Sequence, residues 1–162
     1  MTVIVRKDVA AKVFAATKLL TKTDVLVGIP ASENARDDGP IGNAALGYLH
    51  DTGSPANNIP ARPFMGPGIA EGKSEITRQF RKAGDAAMRG DKAGVLAGLT
   101  GAGIAAENAV KKKITEGPFV PLSEKTIKAR QRRGRTGIKP LIDTGQLRRS
   151  ITHVLRTRNA KP

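Results

Sequence analysis

Few residues in this chain are of the types that do chemistry. Histidine occurs twice, as His50 and His153, and cysteine not at all. Without cysteine there is no disulfide framework, thiolate metal site or catalytic thiol. Two histidines in unrelated stretches do not make a histidine-rich metal centre, and no Ser–His–acid order is forced by the sequence. Adjacent carboxylates such as Asp37 and Asp38 could bind a metal or move a proton, but no histidine or further acid stands near them in sequence. Asp37-Asp38-Gly39-Pro40 is a turn signature, and turn chemistry accounts for the pair. His153 reads as a strand surface residue rather than a ligand. The glycines at 94, 98, 101 and 103 form neither a dinucleotide fingerprint nor a P-loop, and Lys111-Lys112-Lys113 reads as a solvated helix end. The residues thus suggest no cofactor, no metal and no active site.

The chain is organised instead around Ala44 to Met65, AALGYLHDTGSPANNIPARPFM. Ala45, Leu46 and Leu49 mark a short helix, closed at Gly53, where glycine can adopt the left-handed conformation. After a polar turn, Ile59-Pro60-Ala61-Arg62-Pro63-Phe64-Met65 must run extended, because each proline fixes its own φ and biases its predecessor away from helix. The spacing predicts a stiff strap that presents Arg62 and delivers Phe64 and Met65 to a core or a neighbour. Such a strap suits docking better than catalysis.

The elements around the strap follow from periodicity. Val9, Val13, Ala16 and Leu20 predict an amphipathic helix over 6–21. Val3 to Val5 is a candidate edge strand, and 23–30 reads as a strand ended by Pro30. Flexible loops are expected near 31–43 and 131–139. Gly66-Pro67-Gly68 should break the chain before a helix from Ile69 to about Met88, with an interruption at Gly90-Asp91. A second helix over 92–115 places Val95, Leu99, Ala102, Ala106, Val110 and Ile114 on one face. Its glycines imply either close approach of another backbone or a Gly-broken, floppy segment. Gly117-Pro118-Phe119-Val120-Pro121 is a second proline bracket. Ser123 should cap a short basic helix to Arg133, followed by a mobile basic loop, Arg132 to Lys139. Asp143 and Gln146 form a candidate capping box, with Leu147 turned inward before a terminal strand over 151–155.

Composition limits the core. Aromatics are 3% of 162 residues, with no Trp, so Ala, Val, Leu and Ile must supply the packing, which favours a helix-rich fold. The N-terminal apolar run is too short for a signal sequence, and no run is expected to span a membrane. The formal charge is +14, and residues 104–162 hold 15 Lys/Arg against 4 acids. Positive charge gathered at one end suits a negatively charged partner, or simply a solvated tail.

Three segments in order, GYLHDTG…IPARPFM (Gly47 to Gly53, Ile59 to Met65), the Ala/Gly helix, and PLIDTGQLRRSI (Pro140 to Ile151), resemble the tail-completion and neck proteins of tailed bacteriophages. That group includes the virion-morphogenesis family and relatives of the minor tail protein Z type. The likeness covers roughly residues 44 to 155. Departures are His50-Asp51, where many relatives place an acid just before the glycine, and the charge-rich RQRRGRTG loop. The resemblance implies an α+β fold over 1–162, long helices packed on a small antiparallel β-sheet, in a ring-forming protomer. It implies a six-fold or twelve-fold homo-oligomeric ring in the virion, assembled in the host bacterial cytoplasm. Its partners would be head-closure, tail-terminator or tail-tube proteins, with DNA in the channel. On this reading Arg62, Phe64 and Met65 are strap contacts, Arg130, Arg132, Arg133 and Arg135 a charged interface, and Leu141, Asp143 and Leu147 fix a C-terminal hairpin. Phe64 and Leu147 also fit plain core packing. The alternative is sequence-nonspecific nucleic-acid binding by the basic C-terminal region, although aromatics for base stacking are scarce there.

Overall fold

Helix α5 (Lys92–Glu116) is the longest element, at 25 residues. It starts where the Asp91 carboxylate accepts the Gly94 N–H at 2.9 Å, a side-chain N-cap. Val95, Leu99, Ala102, Ala106, Val110 and Ile114 are all buried, the stripe that their spacing predicts. By length and composition alone α5 is apolar enough to cross a membrane, contrary to the expectation of no such run. In this fold the stripe is a core face.

The protein, seen in a computed structural model, is described over residues 7–36 and 40–158. The strand expected at Val3 to Val5 and the turn at Asp37 to Gly39 lie outside the described residues. The chain's contacts gather into two compact units. The fold is mostly helical with a small two-stranded antiparallel sheet, an α+β arrangement.

The first unit takes 7–26, 73–105 and 153–158. It holds α1 (Lys7–Lys22), α4 (Lys73–Met88) and the first part of α5, with most of strands β1 (Thr23–Gly28) and β2 (Thr152–Thr157). Its core is Ala16, Ala83, Ala86, Ala87, Val95 and Leu99, flanked by Leu19, Leu20, Val25 and Leu155. So small a core works because the helices nearly touch. A Cβ added at Gly98 would lie 2.7 Å from the Ala83 nitrogen. Gly98 therefore admits a neighbouring backbone, the other glycines of α5 make room for side chains, and the helix runs through them unbroken. Val9, expected on the buried stripe of α1, is exposed. The turn at Gly90 (φ +73) meets α1 at Lys12 and Val13, so the preceding turn of α1 has run past its cover. The sheet is clipped at its end by the Arg158 N–H on the Lys22 carbonyl, 2.7 Å, and by Arg158 Nε on Asp24, 3.1 Å.

The second unit takes 27–36, 40–72 and 106–152. It contains α2 (Asn43–Thr52), α3 (Met65–Glu71), the rest of α5, α6 (Glu124–Arg132) and α7 (Gln146–Ser150). Phe64, Val110, Ile114, Leu141 and Ile151 form its core, flanked by Val27, Ile29, Met65, Phe119 and Ile142. Gly66-Pro67-Gly68 does not break the chain. It lies in the first turns of α3, where Pro67 gives up an N–H that no helix could pair. Gly68 lets α3 lie against α5, since a Cβ there would sit 2.9 Å from Val110 Cα. The interruption comes instead at Gly72, between α3 and α4.

Two glycine substitutions should therefore move stability in opposite directions. Gly98→Ala should destabilise by about 1–3 kcal/mol through overpacking on Ala83. Gly84→Ala, on α4 with nothing within 4 Å of the new Cβ, should stabilise by up to about 1 kcal/mol. Urea midpoints of the two variants check the pair.

Candidate functional site

The strap is built on the end of α2. Gly53 has φ +78 and ψ 173, a positive φ as expected but not the left-handed helical conformation. Only glycine fits, because a Cβ would lie 2.7 Å from the Ala61 nitrogen. The chain turns through Pro55–Asn57 and Asn58 (φ 52) and closes on itself. Ser54 and Ile59 exchange backbone hydrogen bonds of 2.8 and 3.0 Å, and the Arg62 N–H reaches the His50 carbonyl at 2.7 Å.

Side chains complete the brace. Asp51 Oδ1 accepts from the Phe64 and Met65 N–H groups at 2.7 and 2.9 Å, placing a carboxylate at the start of α3. Arg62 Nε and Nη2 donate to the Val120 and Pro121 carbonyls at 2.9 and 3.1 Å. The two proline brackets are thus one tied structure. Arg62 is only 5% exposed and Phe64 1%. This corrects the expectation that the strap presents Arg62, because the carbonyls of the second bracket take its guanidinium inside. Met65 stays half-buried beside the core and lines a mostly apolar pocket with Ile29, Tyr48 and Phe64.

A second brace holds the C-terminal basic segment. Ser123 caps α6 as expected, its side chain accepting from the Thr126 N–H. Arg130, on the last turns of α6, is 7% exposed. Its Nη1 reaches the carbonyls of Gly137, Lys139 and Ile142 at 2.9, 3.0 and 2.9 Å, and its Nε lies 3.4 Å from Asp143. Arg135 pairs with the other Asp143 oxygen at 2.7 Å. Of the four arginines grouped as a charged interface, Arg130 is therefore an internal strut, Arg135 is ion-paired, and Arg132 and Arg133 are exposed. The segment between Arg132 and Lys139 is held across its span rather than left loose.

Asp143 does not form the expected capping box. The N-cap of α7 is Gly145 (φ 76) with no side-chain hydrogen bond, because the Asp143 carboxylate is taken by the two arginines. Leu141 and Leu147 are both buried. Leu141 holds φ 61, a strained conformation for leucine that its core contacts and the Arg130 bonds on both sides maintain. The lysine run is likewise engaged: Lys111 pairs with Glu107 at 2.6 Å, and Lys113 with Glu71.

His50 is half-buried, and its Nδ1 is buried with no hydrogen-bond partner. Burial, then the charges of Arg62, Arg36 and Arg130, hold its pKa below 6.5. These cations disfavour a second proton on the ring. His50 lines a cavity of about 210 Å³ with Arg36, Thr126, Arg130, Arg133 and Gln146. Nothing in the spacing of His50, Arg36 and Arg133 announces this meeting, which places residues of α2 and α6 on one cavity wall. Among the described residues, no group of three or more His, Cys, Asp or Glu could hold a metal ion.

No protein-family model, curated protein or solved structure matches this chain.

Removing the strut should be costly. Arg130→Met should destabilise by about 3–5 kcal/mol, since it strands three carbonyls and takes away one of the two arginines on Asp143. Arg132→Ala, at an exposed position, should stay within about 0.5 kcal/mol of wild type. Denaturant titration of both compares them directly. For His50, the unfolded chain takes up its proton at higher pH than the folded protein does. Stability should therefore fall as pH drops from neutral through 6.5 and level off, for this group, below the folded value. Thermal melts across that range should show a smaller loss for His50→Gln.

Proposed function

We propose that this protein is a structural component of a tailed-phage virion. It acts at the head–tail junction, completing the tail and joining it to the capsid as one subunit of an oligomeric ring. The observation that carries the reading is where the resembling segments go. Asp51, Arg62, Phe64, Leu141 and Leu147, drawn from two of them, are spent on bracing one unit, and Arg130 of α6 ties in the second of these segments. They make a stiff block rather than a reacting centre. What the surface offers is contact area: Phe14 and Met88 are 72% and 73% exposed, and Tyr48 and Ile138 nearly as much. In a ring these side chains would be covered by neighbours. On this reading the partners are further copies of the chain and adjoining head-closure, tail-terminator or tail-tube proteins.

A second reading, nonspecific nucleic-acid binding, is favoured by one feature. Lys125, Lys128, Arg132 and Arg133 are all exposed along α6 and its end. Phosphate contacts of that kind weaken steeply with salt.

Light scattering at low and high salt, with and without duplex DNA, separates the two. The neck reading expects a salt-resistant ring, or a monomer whose mass DNA does not change. Coating of DNA of any sequence, lost by about a hundredfold in affinity between roughly 50 and 200 mM salt, would replace it with the second reading.

A further inference from the structure

The cavity beside His50 has an unbalanced wall. Its cations are Arg36, Arg130 and Arg133, and its one carboxylate is Asp143. That carboxylate is already neutralised, with one oxygen 2.7 Å from Arg135 and the other 3.4 Å from Arg130. The hydroxyls have partners within the protein: Thr126 Oγ1 lies 2.9 Å from Ser123 Oγ, and Thr144 Oγ1 accepts from the Gln146 N–H. Donors are plentiful. Arg36 gives one bond, from Nη1 to Asn43 Oδ1 at 2.9 Å, and Arg133 one from Nε to the Ala129 carbonyl at 3.2 Å. A guanidinium carries five N–H groups and accepts nothing. Arg130 is fixed in place by its three carbonyls, so the charge stands ready before any ligand arrives.

We propose that the cationic side of this cavity, formed by Arg36, Arg130 and Arg133 beside His50, is a binding site for a phosphate group, with Leu46, Leu122, Leu141 and Leu147 completing the wall. A site rich in donors and poor in acceptors is matched by a group that only accepts, and planar guanidinium forks suit phosphate oxygens. The volume, about 210 Å³, is on the order of seven water volumes. That holds one phosphate and a few waters, and is smaller than the ~300 Å³ at which pockets for larger ligands begin. A phosphomonoester would therefore seat its phosphate and leave the rest outside. The site does not depend on the neck reading, since it is built within one protomer.

The test is a titration of the full chain with inorganic phosphate at constant ionic strength, read from the His50 imidazole nitrogens by NMR. Saturable shifts of the His50 signals, half-complete at or below the millimolar range, are expected. Arg133→Ala and Arg36→Ala should each weaken binding about tenfold or more, the size of one charge-assisted hydrogen bond. Circular dichroism melts of both variants confirm that they fold. Parallel titrations with a nucleoside monophosphate and with acetate identify the source. Tighter binding of the monophosphate assigns a phosphomonoester, and equal or weaker binding assigns the free ion. Acetate binding as tight as phosphate, no saturable shift, or a shift unchanged in both folded variants overturns the proposal.

Discussion

The second unit depends on one carboxylate. Asp51 sits on the last turn of α2 and accepts the first two N–H groups of the segment that becomes α3. Those groups belong to the set that no helix can pair within itself. By taking them, Asp51 fixes where α3 begins, and with it the placement of Phe64 at the core. Arg62, two residues before Phe64, turns inward to the carbonyls of Val120 and Pro121. A short strap therefore positions both a helix start and a connector more than fifty residues away in sequence. Replacing Asp51 by alanine leaves both N–H groups without that acceptor, whereas an exposed acid lost elsewhere changes little.

The first unit solves a different problem. With almost no aromatics, it cannot fill a wide interlayer space, so it removes the space. Gly98 against Ala83 and Gly94 against Ala86 bring two helix backbones together, trading the intrinsic cost of glycine in a helix for contact along it.

The periodic parts of the chain were legible because burial there follows a helix face. The stripe from Val95 to Ile114 and the cap at Ser123 needed only spacing and residue type. Gly66-Pro67-Gly68 misled because proline is tolerated in the first helical turn as readily as outside it. Asp143 misled because its competitors, Arg130 and Arg135, are distant partners that a local capping pattern does not count. Val9 failed for a related reason: periodicity says which face a residue occupies, not how far along the helix the covering partner extends. The cavity at His50 lay beyond reach altogether, since it exists only where three separated segments meet.

The same point changes the meaning of the basic C-terminal region. Summed along the sequence, its arginines look like one electropositive surface. In the fold they divide by role. Arg130 is buried against carbonyls and a carboxylate, Arg135 is ion-paired, and Arg156 and Arg158 flank Asp24. The outward field near α6 comes chiefly from Lys125, Lys128, Arg132 and Arg133, a smaller charge than the count suggests. Long-range attraction to a phosphate backbone scales with the number of phosphates neutralised. Moving charge from surface to struts therefore weakens the nucleic-acid reading while bracing the second unit. On the neck reading, exposed apolar side chains and moderate positive charge suit neighbouring protein surfaces, where complementarity sets register and the apolar area supplies affinity.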